Sequence, residues 1–531
     1  MGRHVQLLAR DGRAALDAGL PPHHRDLCNG VRLRTIATGL DAASSGSPRP
    51  CAGQESASST VTALADIVSL GATELLALYR RGELSPVEAV EATLDRIARH
   101  NPAVNAFCLV DPERGIEAAR ASERRWQKGA QAGALDGVPI AVKDVFLTAG
   151  WPTLRGSPGV DASGPWDQDA PAVASLRRHG AVLVGKTTTP QFGWKAVTDS
   201  PLTGVTRNPW DPTKTSGGSS GGSAAALACG MVPLALGTDG GGSIRIPCAF
   251  CGVTGLKPTY GRVPAWPASP FGSIAHCGPL ARNVADVALL MDVISEPDPR
   301  DWTALPPPGA SFQAALDEGV SGLRIAFSSD LGYAKVDAQV AAAVVAAINR
   351  LADLGAHVEE ISPVFPDPRD CFEVLWSASM ARIVADLGEQ PRDSDDPGFA
   401  ETAATGRRHS VLEYLAAVHA RDELGRRMSL FHCGWDLLVT PTVPLTAFAA
   451  GCNTPEGWGA EAWSSWTPFT YPFNLTQQPA ASVPCGFTRE GLPVGLQIVG
   501  PRYGDALVLR AARAYEAADP QPTVTSATAV A

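Results

Sequence analysis

The sequence predicts an α/β protein, and three observations carry that prediction. From residue 137 onward, short β-branched runs alternate with helical segments, the pattern of strands joined by crossover helices. At 45% hydrophobic and 18% charged residues, the 531-residue chain has ordinary globular composition and ample apolar material for a core. Between Lys214 and Pro247 lies KTSGGSSGGSAAALACGMVPLALGTDGGGSIRIP, where an apolar run (Ala224–Leu236) separates two glycine-framed serine clusters, Gly217–Ser223 and Gly240–Ser243. A flexible Gly/Ser linker has no reason to contain such a run. A buried helix and strand do.

Residues 1–62 differ from the rest. They mix Arg/His pairs with the tract AASSGSPRPCAGQESASST and are expected to form a disordered extension, because they bury little apolar area. No secretory apolar segment is present there, Leu7-Leu8 being interrupted by Arg10 and Asp11. The longest apolar run, within Ala224–Thr238, holds Gly230 and Pro233 and is too short to span a membrane. A cytoplasmic protein without membrane partners is expected.

The main domain is expected over residues 63–519. GATELLALYRRG reads as a helix stopped by Gly82. Ser85-Pro86-Val87-Glu88 is a capping box with proline at the first helical position, and its helix is expected to end before Asn101-Pro102. Asp111-Pro112 starts a third, polar helix reaching about Gly129. Gly137–Asp144, GVPIAVKD, is a short strand closing on Lys143. A helix over Pro171–His179 and a strand over Ala181–Val184 follow. Downstream, Asn283 caps a helix through Val293, and residues 296–312 form a Pro-rich loop. Leu323–Phe327, Trp435–Thr440 and Val494–Val499 read as strands, Asp337–Leu354 and Asp505–Glu516 as helices. Residues 520–531 read as a loose tail.

Several function classes are disfavoured. A net charge of -10 with no Lys/Arg-rich run argues against a nucleic-acid partner. Eleven cysteines, an odd count spread from Cys28 to Cys485, do not make a disulfide framework. Cys248-Ala-Phe-Cys251 lacks a second CxxC or a close histidine, so it reads as two buried thiols. No metal and no cofactor is expected.

The serine clusters carry the chemistry. A serine framed by glycines is a candidate nucleophile surrounded by backbone N–H donors. Gly217-x-Ser219-x-Gly221 and Gly218-x-Ser220-x-Gly222 both match the G-x-S-x-G nucleophile elbow, which requires a strand immediately before it. The preceding NPWDPTKT has two prolines and no apolar run, so the elbow reading fails. A lysine closing a buried strand, as Lys143 does, is open to desolvation that lowers its pKa and makes it a base.

GVPIAVKD, GGSSGGSAAA, LGTDGGGSIRIP and AFCGVTGLKPTYGRVP, in this order and spacing, resemble the amidase signature family. The similarity resumes at DLLVTPTVP and NLTQQPAASVPCGFTREGLPVGLQIVG. The resemblance implies a single large α/β/α sandwich around a mixed β-sheet. It also implies a Ser-cisSer-Lys amidohydrolase, with Ser243 as nucleophile, Ser219 as the proton relay after a cis peptide bond, and Lys143 as base. The N–H groups of Gly240, Gly241, Gly242 and Ser243 would form the oxyanion hole. Ser220 and Thr238 would supply supporting hydroxyls, and Asp239 and Arg245 would pair to brace the loop.

Four positions depart from the family's common pattern. Gly240 stands where Ile, Val or Thr is frequent, Thr188 and Gln191 where Asn and Glu are, and Gln477 replaces a usual glycine. Phe192, Trp194, Trp266, Phe271, Tyr471 and Phe473 are the candidate pocket aromatics by their nearness to the motifs, and an aromatic lining suits aryl or hydrophobic amides. The expected partners are a small amide and water, and the expected self-association is a homodimer. The alternative is the glutaminase subunit of a tRNA-dependent amidotransferase, which uses the same three residues to release ammonia from glutamine.

Overall fold

The computed structural model describes residues 67–524, except 389–391, 393, 460 and 461. The extension expected over residues 1–62 and the tail beyond residue 524 lie outside the described residues.

The chain opens with α1 (Ala72–Arg81), α2 (Pro86–Val104), β1 (Phe107–Val110), α3 (Pro112–Gln127) and β2 (Pro139–Lys143). Next come α4 (Pro171–Arg178), β3 (Val182–Thr187) and a small hairpin of β4 (Asp199–Ser200) and β5 (Gly204–Val205). The serine-bearing stretch forms α5 (Gly221–Ala228), β6 (Leu234–Asp239) and α6 (Arg245–Cys251), followed by β7 (Thr254–Lys257), β8 (His276–Ala281) and α7 (Val284–Ile294). Then follow β9 (Arg324–Phe327), α8 (Ala338–Asp353), β10 (His357–Glu360), α9 (Arg369–Asp386), α10 (Pro397–Gly406) and α11 (Val411–Phe431). The last elements are β11 (Leu437–Pro441), α12 (Tyr471–Leu475), β12 (Ala480–Phe487), β13 (Pro493–Val499) and α13 (Asp505–Ala518).

Eleven strands make one mixed sheet in the order β1-β3-β2-β6-β8-β7-β12-β13-β11-β9-β10. β2 runs parallel to both β3 and β6, whereas β8 pairs antiparallel with β6 and β7. Alternate side chains leave opposite faces of a strand. Ile140 and Val142 of β2, Leu234 and Leu236 of β6, and Leu437 and Val439 of β11 therefore enter one core with α1, α4, α7, α8 and α13. Ala141, Ala235 and Leu438 enter cores on the other face, with α5, α6 and α9. Both faces are covered by helices, which is why β2, β3, β11 and β13 are buried along their whole length. This is the layered α/β/α arrangement that the resemblance implied.

The local signals act as expected at α1, which Gly82 ends with a left-handed φ of 68°. Ser85 and Glu88 close the capping box of α2. That helix nonetheless runs through Pro102 to Val104, past its expected end. Pro102 lies in the last turn, where it removes one i→i−4 hydrogen bond, and the helix ends two residues later. Asn105 then stops the helix with φ 53°, while Asn101 Oδ1 accepts the N–H groups of Ala106 and Phe107 at 2.8 Å each. The Pro-rich stretch 296–312 is irregular as expected, and Cys248 and Cys251 are buried thiols on α6. Val524, inside the expected loose tail, is buried in the core beside α5.

Candidate active site

The parallel pair β2 and β6 brings two carboxyl ends side by side, the position where open α/β sheets place their ligand crevices. Lys143 closes β2 on the face shared with Ala141, beneath the layer that carries α5. Its side chain is completely buried. The amine lies 2.7 Å from Ser219 Oγ, 2.9 Å from Ser220 Oγ and 2.9 Å from Thr238 Oγ1. Among the described residues no carboxylate comes within ion-pair distance of it. Burial pulls its pKa down to about 7, against the opposing pull of Asp239 and Cys277.

Ser219 and Ser220 sit where the loop enters α5. The Gly218–Ser219 peptide bond is cis. A side chain at Gly218 would place its Cβ 2.5 Å from the Val197 carbonyl, so the loop passes the neighbouring backbone too closely for any residue but glycine. Residues 208–213 before the serines form bends and a turn, followed only by isolated bridges at Lys214 and Thr215, so no strand of a nucleophile elbow precedes them. Ser220 N–H donates to the Ser243 carbonyl at 3.1 Å, which ties the two serine loops together. Ser219 and Ser243 both line a cavity of about 640 Å³ and are 2% and 6% exposed.

The turn from β6 to α6 is held by one ion pair. Asp239 accepts Gly242 N–H at 2.8 Å and Ile244 N–H at 3.1 Å, and Arg245 at 3.0 and 2.8 Å. Arg245 spends its remaining donors on the Thr470 carbonyl, Gln497 and Asn474 at 2.9, 2.8 and 2.6 Å. Both charges are fully buried. Burial alone would raise the Asp239 carboxyl, but Arg245 holds it well below the usual carboxylate range. Arg245→Met is expected to cost roughly 3–5 kcal/mol, because it leaves a buried carboxylate uncompensated. Urea unfolding measures this, and a loss near zero would mean that the pair does not hold the turn.

Gly242, at φ 132°, already donates its N–H to Asp239. The expectation that four N–H groups are on offer in this turn therefore fails at Gly242. Among the described residues, no hydrogen bond within the chain takes up the N–H of Gly240, Gly241 or Ser243. Gly240 has a steric reason: a Cβ there would lie 3.0 Å from the Trp376 ring. The missing side chain is replaced by an indole from α9.

Of the six expected pocket aromatics, Phe192, Trp266 and Phe271 line the cavity with the serines. Trp194 does not; it lines a separate cavity of about 520 Å³. Tyr471 and Phe473 are core residues: Tyr471 stacks on Phe372 at 4.9 Å, and Phe473 is fully buried against Phe365. Trp376, which the motifs do not reveal, lines both cavities and packs on Phe271 at 4.3 Å. Arg155, His276 and Cys277 line the serine cavity as well.

The remaining departures have structural partners. Gln191 donates to Ser157 Oγ and Asp395 and accepts Asp396 N–H at 2.7 Å, fastening the entry to α10. Thr188 and Thr206 share a hydroxyl bond of 2.6 Å. Gln477 takes a left-handed φ of 62°, a conformation that suits the glycine usual at that place.

This combination of a layered mixed sheet, a buried lysine among hydroxyls and two serines on one cavity defines the class of amide hydrolases. The family profile described as Amidase matches residues 88–509, and the chain belongs to the amidase signature family. An acylamidase from Rhodococcus erythropolis is 38% identical over 462 residues, covering 85% of this chain and 96% of its own. The A subunit of the glutamyl-tRNA(Gln) amidotransferase from Chloroflexus aurantiacus is 37% identical over 482 residues, covering 85% and 97%. Among solved structures, a bacterial aryl acylamidase of the same family superposes with TM-score 0.80 at 32% identity, covering 85% of this chain and 96% of that one. The protein is an amide hydrolase. No helix among the described residues is long and apolar enough to cross a membrane.

Proposed function

We propose that the protein hydrolyses small aryl or hydrophobic amides through an acyl-enzyme on Ser243, acting without partner subunits. The observation that carries the reading is the buried amine among three hydroxyls. Ser220 donates its own O–H to the Thr238 carbonyl at 3.1 Å, so toward Lys143 it acts only as an acceptor. Ser219 is then free to give its proton to the amine's lone pair, which is a base's geometry.

The steps follow from that arrangement. The Ser243 hydroxyl attacks the amide carbonyl while its proton passes to Ser219 and Ser219's proton passes to Lys143. The oxyanion gathers charge against the backbone N–H groups of the Gly240–Ser243 turn, excluding that of Gly242. Collapse breaks the C–N bond as Ser219 protonates the leaving amine and recovers a proton from Lys143. Water repeats the sequence on the ester and releases the acid. The same acyl transfer extends to esters and carbamates.

Because the base form of Lys143 is needed, kcat/KM should rise with pH through an apparent pKa near 7 and level off above it. A flat profile from pH 6 to 9 would remove the lysine from this role. The aromatic lining from Phe192, Trp266, Phe271 and Trp376 favours aryl substrates. A panel of aliphatic amides, anilides, aryl esters, carbamates and glutamine tests the substrate reading. Turnover of anilides by the isolated chain is expected. Strict glutaminase activity, or activity only with partner subunits, would instead favour the role named for the Chloroflexus relative.

A further inference from the structure

We propose that Arg155 recognises a carboxylate on the amide substrate, so that the preferred substrates are anionic amides. This rests on the amidase reading above and names the substrate class of the same cavity. Arg155 lines the cavity that holds Ser219 and Ser243. Among the described residues, its guanidinium makes no hydrogen bond and no ion pair. Asp144, the carboxylate in its neighbourhood, is already taken: Lys186 binds it at 2.8 Å. The other guanidinium on the cavity, Arg382, is paired with Asp386.

The charges therefore cancel in pairs, Asp144 with Lys186 and Asp386 with Arg382, and Arg155 is left over. A guanidinium keeps its charge at any working pH, and its planar fork of donors matches a carboxylate. Its position is also built. Arg155 and Phe192 are both non-glycine residues in the left-handed region, at φ 55° and 52°. Phe192 N–H donates to the Arg155 carbonyl at 2.8 Å, and both residues line the cavity. Such conformations persist where surrounding structure enforces them, and they gather at binding sites. Aromatic walls for the aryl or acyl body and one uncommitted cation beside them fit an amide with an acidic group at one end.

Binding to the Ser243→Ala protein, read by calorimetry, tests this without turnover. Two matched pairs place the acid on either side of the scissile bond. They are 4-nitrosuccinanilic acid against its primary carboxamide, and 4-acetamidobenzoate against 4-acetamidobenzamide. In at least one pair the carboxylate should bind tenfold or more tightly than the neutral partner. Adding Arg155→Met should collapse that ratio to about one, and adding Arg155→Lys should keep part of it, which separates loss of charge from loss of fold. Equal binding in both pairs, or a preference that survives Arg155→Met, would overturn the proposal. Failure of the wild-type protein to hydrolyse any of the four would count against the amidase reading instead, since the binding ratio does not depend on turnover.

Discussion

Ser243→Ala is expected to abolish labelling by a serine-directed fluorophosphonate, with intact-mass spectra showing one adduct on the wild-type protein and none on the variant. Amide turnover should fall by roughly 10⁴-fold or more, with KM little changed, because removing a nucleophile leaves only binding and backbone donors to act on the carbonyl. Ser243 is nearly buried and its hydroxyl is small, so the fold should survive and thermal melting should be unaltered. Ser219 carries the more familiar glycine frame and lies 2.7 Å from the amine, yet it is placed between Lys143 and the cavity rather than on the Gly240–Ser243 turn. An adduct that persists in Ser243→Ala would transfer the nucleophile's role to Ser219.

Lys143→Ala should lower kcat/KM at neutral pH by about 10³-fold, the range typical for loss of a general base. The three hydroxyls around the amine lose their common partner but can rotate to each other or to backbone carbonyls, so the variant should remain folded. Two further readouts separate a lost base from a damaged site. The rise of kcat/KM through pH 7 should disappear, and fluorophosphonate labelling of Ser243 should slow in proportion to turnover. Lys143→Met, which keeps the volume of the stem, should behave alike. Wild-type turnover in either variant would end the role assigned to this lysine.

Much of this site is legible in the amino-acid sequence. The serine clusters, the strand that closes on Lys143 and the helix and strand between the serines are all local features, written within short stretches of chain. So are Gly82 and the Ser85–Glu88 box, because caps act over one turn of helix. Other features are of a different kind. Helices α9, α10 and α11 carry weak amphipathic signals and no motif, so nothing local announces them, although α9 supplies Trp376. The aromatics nearest the motifs in sequence are a poor guide to the cavity: Tyr471 and Phe473 face the core, and Trp194 faces a different cavity.

The sequence by itself determined the α/β class, through the local alternation of strands and helices, and the family, through motifs whose resemblance implies the three groups expected to carry catalysis. Only the tertiary structure decided what those groups are able to do. Lys143 has its pKa near 7 because the whole layer above β2 excludes water, a property no short motif contains. Gly240 is accommodated because an indole from a helix distant in the chain fills the space beside it. Arg155 is an uncommitted cation because Lys186, on the neighbouring strand β3, has already taken Asp144. Burial and pairing are set by what the fold packs together, and that is why they are read from the folded chain alone.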